Sequence, residues 1–576
     1  MRPNRVLSLA AAAALVAAPA VTVTNPALAA NAPAGAAGLP VPCADLRGAS
    51  VPADRIGLPT TGARVSSAEV VAATATQPEY CRVLGAIHPV DPAAPAIQFQ
   101  VNLPAAWNGR TMLFGGGGYN GTIARGDGQV PAGSPTVPTP LAAGYATYGS
   151  DSGHQAGPAG SRDGSFGRND EALRNFGGDA LKKTNDVAQA LVKQRYGAGP
   201  TFRYVAGGST GGREALLAVS RWPGDYEGAI VLYPAWDAIS LDLKFGEMTR
   251  QLAKPGAYPT QQDRQLLLDA VLATCDGLDG LSDGIVSNQK RCDQVFDPTK
   301  ARVGQTRLRC PAGKDRGPGC LSDAKIESFE VINAPLDYGY RLASGERSYP
   351  GFTTWGTDFG VKAATPVAAV VTDLALGTKQ PVSPMPVVGP AGTNPPYGST
   401  FWDEFVRHLV TRDPAFDALW LDPAAPGRWQ RRIQEVSAIG EVTSDNIANL
   451  GAFAARGGKI LMAHGVHDAL VSNRASQAFV GRVTDRLGAA TTAGFLRYYE
   501  IPGYGHAVSN RFTAQWDSLA ALTAWVENVT PPGPQVVGDR NGTGALRTRP
   551  LCAWPSWPRY VGGDPTTAAS FQCAAS

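Results

Sequence analysis

The 576-residue sequence predicts an α/β fold, a mostly parallel sheet with helices on both faces and a large inserted segment. Three observations lead there. Short β-type runs alternate with helical stretches, several of those runs are apolar without interruption, and the alternation stops in mid-chain and later resumes. Strand–helix alternation sets strands side by side in parallel, and strands covered on both faces lose the in–out pattern of half-exposed ones.

The β-type runs come in order at Arg82–Val90, Ile97–Leu103, Thr111–Phe114, Tyr145–Gly149, Tyr204–Ala206 and Ala229–Tyr233, then Lys459–Ala463 and Leu496–Ile501. Residues 229–232, Ala-Ile-Val-Leu, typify a strand buried on both sides. Between the runs, Glu171–Tyr196 places Leu173, Phe176, Ala180, Leu181, Ala188, Leu191 and Val192 on one helical face. Gly212–Trp222 is a short apolar helix, and Phe512–Glu527 reads as an amphipathic one. From Trp236 to Asp445 the rhythm fails. That stretch holds four of the eight cysteines, a proline-rich segment from Pro381 to Pro396, and Trp236, Trp355, Trp402, Trp420 and Trp429. A segment with its own cysteines, inserted between two sheet strands, reads as a lid. The expected organisation is a leader over 1–29, a core over 30–235 and 446–576, and a lid over 236–445.

Hydrophobic content of 44% with 17% charged residues excludes wholesale disorder. A net charge of +3 leaves no electrostatic footprint for nucleic acid or an anionic membrane. Arg2 and Arg5 precede an apolar run from Val6 to Val23, and Ala27-Leu28-Ala29 offers small residues for cleavage, the pattern of a secretion signal. An oxidising destination makes eight cysteines read as disulfides, with Cys43/Cys81, Cys275/Cys292, Cys310/Cys320 and Cys552/Cys573 the simplest pairing. None has the spacing of a zinc or redox pair.

Two segments match Gly-x-Ser-x-Gly, around Ser209 and around Ser282, so the pattern alone decides nothing in so glycine-rich a chain. Context separates them. A nucleophile elbow needs a strand running into a sharp turn and then a helix, so that the serine stands exposed at the helix start. Residues 203–206 supply the strand and 213–218 the helix for Ser209; Ser282 has no strand before it and sits among aspartates. A nucleophilic serine needs a base, an acid that orients the base, and an oxyanion hole. Of six histidines, His506 lies in a glycine-rich loop after the last strand and before the final helix. Asp468 follows the strand at Lys459–Ala463 and is the expected acid; Asp445 is the weaker competitor, with no strand delivering it. The oxyanion donors are expected to be the N–H of Thr210 and one from the run Gly115-Gly116-Gly117-Gly118, placed at Gly117. A phosphate loop is the rival reading of that run, but no Lys-Ser/Thr follows it.

At this point the sequence resembles the tannase/feruloyl esterase family, secreted α/β-hydrolases with a large lid that also include mono(2-hydroxyethyl) terephthalate hydrolases. The resemblance runs from Cys43 to Cys573 in six ordered blocks: 107–110 into the glycine loop, 149–154, 209–214, 464–468, 502–506 and 549–552. It implies a serine carboxylesterase acting through an acyl-enzyme on hydroxycinnamate esters, with Ser209, Asp468 and His506 as its triad. Tannase activity on gallate esters is the alternative, and another aromatic monoester a further one. Asp276, Asp279 and Asp283 with interleaved glycines suit Ca²⁺ as hard oxygen ligands, but the spacing is not that of an EF-hand, and composition alone leaves a plain acidic turn as an equal reading. The resemblance implies a structural ion held by those carboxylates and the carbonyls of Leu281 and Ile285, and no organic cofactor. In one respect the chain departs. Most members of that family carry bonded cysteines just before the nucleophile and just after the histidine, where this sequence has Gly208 and Ala507.

Two other classes compete. His154, His464, His467 and Asp468 could ligate the metal of a metallohydrolase, or the missing tether could mark a non-catalytic polyphenol- or carbohydrate-binding protein. The intact Ser209, Asp468 and His506 argue against the latter. The expected substrate is a small phenolic or plant cell-wall ester.

Overall fold

The computed structural model describes residues 41–386, 388–540 and 546–575; the expected leader lies outside them. The main sheet has ten strands: β1 (Ser50–Val51), β2 (Gly62–Val71), β3 (Tyr80–His88), β4 (Ile97–Pro104), β5 (Arg110–Phe114), β6 (Ala146–Ser150), β7 (Phe202–Gly208), β8 (Gly228–Leu232), β9 (Lys459–Gly465) and β10 (Leu496–Ile501). Their order is β1-β2-β3-β4-β6-β5-β7-β8-β9-β10. The first four and β6 pair antiparallel, and from β6 onward every pairing is parallel. This is an α/β-hydrolase sheet, mostly parallel as expected.

Alternate residues of the parallel strands feed two separate cores. Ala229 and Val231 of β8 pack with Val205, Ile460 and Met462 beneath the helices Ala180–Tyr196, Thr210–Arg221, Ser444–Ala455 and Asn473–Leu487. Ile230 and Leu232 point the other way, with Tyr204, Leu461, Ala463 and Trp525 of the helix Ser518–Glu527. Period-two side chains on strands covered above and below account for runs with no polar position.

The strand β2 is not anticipated from the sequence, and two expected helices are corrected in detail. β2 carries no clear alternation in the sequence because a bulge between Val65 and Ser67 shifts its phase. The expected helix Glu171–Tyr196 is broken by a wide turn at Asn175–Asp179, where Gly178 has φ 133°. The expected helix Phe512–Glu527 starts only at Ser518, capped by Asp517, because Ala514 and Gln515 are drawn into pairing with Asp539 and Gly538.

All eight cysteines are bonded in the nearest-neighbour pairs, Cys43–Cys81, Cys275–Cys292, Cys310–Cys320 and Cys552–Cys573. Among its described residues, the segment between β8 and β9 adds no strand to the main sheet and builds its own core from Phe245, Tyr338, Phe352, Trp355, Trp402 and Phe405, continuous with Tyr119, Phe166 and Phe176 of the connections between β5 and β7. Trp402 is fully buried, donates its indole N–H to the Ala418 carbonyl at 3.0 Å, and lies so close over Gly246 that a Cβ there would sit 2.8 Å from the ring. Trp402→Ala removes a large side chain from a site that cannot collapse and orphans a buried carbonyl. It should cost about 3–5 kcal/mol, read as a lower midpoint in urea unfolding; a loss under about 1 kcal/mol would show that the inserted segment is not packed around this ring.

Candidate active site

Parallel registry brings the ends of four strands level. Gly208 of β7 pairs with Leu232 of β8, Leu232 with Ala463 of β9, and Gly465 of β9 with Ile501 of β10. The loops leaving these strands therefore emerge at one edge, and they carry Ser209, Asp468 and His506.

Ser209 is the turn between β7 and the helix Thr210–Arg221, with φ 60° and ψ −125°. A non-glycine residue in that region is strained and persists only where its surroundings enforce it. Here they do. A Cβ on Gly207 would lie 2.1 Å from the Gly211 carbonyl oxygen, so the elbow closes only on glycine. The serine hydroxyl lies 3.0 Å from His506 Nε2, and His506 Nδ1 lies 2.8 Å from Asp468 Oδ2. Asp468 is itself fully buried and fixed. Its Oδ1 accepts the N–H groups of Leu470 and Val471 at 2.8 and 2.9 Å. Burial alone would raise its pKa, but the His506 and His464 rings hold the carboxyl well below the usual range. A carboxylate at Nδ1 places the imidazole proton there and turns the Nε2 lone pair toward the serine, the arrangement that general-base activation requires.

The glycine loop after β5 faces the same point. Gly117, Gly118 and Thr210 line a cavity of about 450 Å³ together with Ser209 and His506. The backbone N–H groups of Gly117 and Thr210 donate to no protein acceptor among the described residues, whereas those of Gly115, Gly116 and Tyr119 are all engaged.

Sequence reasoning missed the group that holds this loop. Glu214, buried one turn into the helix that follows Ser209, accepts Gly116 N–H at 2.8 Å with one oxygen. With the other it accepts Asn120 Nδ2 at 2.6 Å and the Ser152 hydroxyl at 3.1 Å. Its partners are 62 to 98 residues away, so no local pattern announces them.

Of the other histidines only His464 approaches Asp468, with Nε2 at 3.3 Å from Oδ2, and His154 and His467 do not join them. His464 donates from Nε2 to the Val471 carbonyl at 2.9 Å and meets the Ser476 hydroxyl at Nδ1. His467 Nδ1 accepts Gly503 N–H at 3.0 Å, and burial pushes that ring down to about 3, so it is neutral. His154 stacks on Phe166 at 4.1 Å. The four residues weighed for a metallohydrolase form no metal-holding group, nor does any other set of three acidic, histidine or cysteine side chains among the described residues. Asp445 is exposed in the first turn of its helix, and Ser282 is exposed in a loop with no strand before it.

Where the family it resembles has a disulfide, this chain has an aromatic ring. A Cβ on Gly208 would lie 2.6 Å from Tyr233, whose ring is 4.8 Å from that of His506. The Tyr504 hydroxyl donates to the Ala507 carbonyl at 3.0 Å. Tyr233 thus packs on the residue before Ser209 and on His506 at once. The tryptophans of the inserted segment are absent from the cavity wall. Trp236, Trp355 and Trp402 are core, Trp420 is 83% exposed, and the aromatic lining comes from Tyr119, Phe176, Tyr233, Phe245, Tyr397 and Phe401.

The family model described as tannase and feruloyl esterase matches residues 81–574. An uncharacterized esterase of Agrobacterium fabrum is 39% identical, over 92% of this chain and 93% of its own. A mono(2-hydroxyethyl) terephthalate hydrolase of Piscinibacter sakaiensis is 29% identical, over 88% and 87%. The crystal structure of feruloyl esterase B from Aspergillus oryzae superposes with a TM-score of 0.68 at 22% identity, covering 90% of this chain and 98% of that one.

Three donors and no acceptor face Glu214, so Gln as well as Ala breaks the cluster, because an amide nitrogen would point at an N–H. Glu214→Gln should lower kcat on a soluble ester by about 10²-fold while KM changes less, measured by steady-state kinetics. A change confined to KM would mean that Glu214 does not set the oxyanion loop.

Proposed function

The chain belongs to the tannase and feruloyl esterase family and is a carboxylic ester hydrolase by that membership; from there we propose that it is a secreted serine esterase cleaving hydroxycinnamate esters. The observation that carries the chemistry is the unbroken line Ser209 Oγ, His506 Nε2, His506 Nδ1, Asp468 Oδ2, with successive contacts of 3.0 and 2.8 Å. Ser209 attacks the ester carbonyl as His506 takes its proton at Nε2. Asp468 stabilises the imidazolium, and the free N–H groups of Thr210 and Gly117 receive the oxyanion. Collapse expels the alcohol, which takes the proton from His506, and water releases the acid by the same steps in reverse order.

The acyl group fits a planar aromatic acid. The cavity is mainly apolar, walled by Phe176, Leu241, Phe245 and Phe401, and of the size that small-molecule pockets take. Gallate esters are the alternative substrate. A panel of methyl ferulate, methyl gallate, a terephthalate monoester and a short nitrophenyl ester separates these readings; indifference to the acyl ring would remove the hydroxycinnamate assignment. Segment 236–445 acts as the lid over this cavity. Export is supported by the four disulfides, which persist in oxidising compartments. Among the described residues no helix is long and apolar enough to cross a membrane.

Ser209→Ala should lower kcat by about 10⁴–10⁶, whereas Ser282→Ala should leave ester hydrolysis intact. Near-normal turnover by folded Ser209→Ala protein would sink the mechanism. Asp468→Asn should likewise cost orders of magnitude, and more than Asp445→Asn.

Calcium is proposed for the loop inside the Cys275–Cys292 bridge. Burial raises the Asp276 carboxyl, with Asp283 adding to it, and pushes Asp279 up to about 6 with its two acidic neighbours contributing. Such mutual repulsion is what a bound cation relieves. The carbonyls of Leu281 and Ile285 accept no protein hydrogen bond among the described residues and are open to a hard cation, while the three carboxylates as placed do not yet converge on one point. The carboxylates presently bond the loop's own N–H groups, and Asp283 accepts from Arg549 at 2.5 Å, so binding requires them to turn toward the ion. Chelation should lower stability by about 3–4 kcal/mol at 100–1,000 times Kd, read as a lower Tm, with far less effect on kcat for a small ester. Asp279→Ala should reproduce this and then ignore the chelator. No change in Tm, with no calcium by metal analysis, would leave only an acidic turn.

A further inference from the structure

Resting on the aromatic-ester reading above, we propose that Asp242, paired with the Tyr119 hydroxyl, determines specificity by recognising a phenolic hydroxyl on the acyl ring. The helix Ala238–Leu252 turns Ala238, Leu241, Asp242 and Phe245 toward the cavity that holds Ser209 and His506. Those positions fall at i, i+3, i+4 and i+7, one face of a helix. Three are apolar and one is a carboxyl. An acid set into an apolar stripe is costly unless something binds it.

Among the described residues this acid has one weak hydrogen bond. Asp242 is 4% exposed, and its hydrogen-bond partner is the Tyr119 hydroxyl at 3.4 Å. That hydroxyl is also 3.5 Å from the Phe401 carbonyl. Both separations exceed the usual 2.5–3.0 Å of an O–H···O bond, so one donor is shared loosely between two acceptors. The nearby cation, Arg213, favours the ionised carboxyl through its charge but makes no hydrogen bond to it among the described residues. Arg213 also lines the cavity, but its two Nη groups donate to the carbonyls of Gly440 and Phe176 at 2.6 and 3.0 Å. Tyr119 cannot move closer to compensate, because its ring is stacked on Phe401 at 4.2 Å and meets the edges of Phe166 and Phe176, each at 5.7 Å.

The pair therefore offers a fixed hydroxyl and a carboxyl with unused capacity on a wall of otherwise apolar and aromatic groups. Burial pushes the Asp242 carboxyl well above the ordinary range, with the Tyr119 bond opposing and Glu441 adding. A neutral carboxyl both donates and accepts, and so does a phenol. A ring hydroxyl placed here would complete both partners. A ring without one would leave them buried and unsatisfied, which is how polar sites reject close analogues.

The test compares methyl 4-hydroxycinnamate with methyl cinnamate, which differ by that one oxygen. The readouts are kcat/KM in the wild type and variants, and calorimetric binding of both esters to Ser209→Ala protein. Wild type should favour the hydroxylated ester by about tenfold or more, in turnover and in binding. Asp242→Leu should bring the ratio to about one, Tyr119→Phe should lower it several-fold, and Asp242→Asn, which still donates and accepts, should keep most of it. A wild-type ratio near one, or a ratio that Asp242→Leu leaves in place, overturns the proposal. If Asp242→Leu does not fold, Tyr119→Phe decides. If the wild type cleaves neither ester, the hydroxycinnamate reading fails by itself, and the binding ratio on Ser209→Ala still rules on Asp242.

Discussion

A backbone contact that admits no side-chain carbon governs the region around Ser209. Where β7 turns into its helix, Gly207 approaches the Gly211 carbonyl so closely that any other residue would be expelled. That closeness forces the positive φ of Ser209 and sets the direction of its hydroxyl. The same helix start carries Glu214, which reaches back to the glycine loop, so Ser209 and the N–H groups facing it are fixed by one short piece of chain. Parallel registry of the strands does the rest, delivering Asp468 and His506 to the same edge from 259 and 297 residues away in sequence. Strain at one residue is tolerable because packing on every side holds it.

What the sequence discloses follows the range of each interaction. The strand–turn–helix grammar around Ser209 is local, and the order serine, acid, histidine is a property of the chain, so all three positions were readable. So was the glycine loop, since four successive glycines have few uses. The disulfide pairs were readable because each closes a short loop. Glu214, Asn120 and Ser152 were not, because their bonds join segments with no common pattern. Tyr233 was equally silent; its part appears only once β8 lies beside β7 and its ring covers Gly208. The tryptophans misled in the opposite sense. Large aromatics crowd the inserted segment because it must build a core of its own, and the cavity wall is made from phenylalanine and tyrosine instead. At the edges of elements, distant pairing prevails over local preference, as where Ala514 and Gln515 leave an amphipathic helix to join a strand.

The inserted segment and the sheet are not separate bodies at the site. Tyr119, Phe166 and Phe176 come from the connections between β5 and β7, yet they pack in one cluster with Phe245, Phe352 and Trp402 of the insertion. The cavity is consequently a seam, with the chemistry on the sheet side and much of the shape on the other. This division lets a family keep one set of reacting groups while altering the acids it accepts, which accords with relatives named for different esters.

The ring that lies against both Gly208 and His506 has a consequence beyond packing. In the family pattern, the alignment of serine and histidine is tied to a sulfur–sulfur bond, and so to the thiol balance of the surroundings. Here Tyr233 makes the link by contact alone. The four disulfides that remain staple the chain ends and the inserted segment, away from the pair. Reducing conditions would loosen the scaffold at its periphery without cutting any covalent link between Ser209 and His506, so the thiol balance acts on the stability of the scaffold rather than directly on the alignment of that pair.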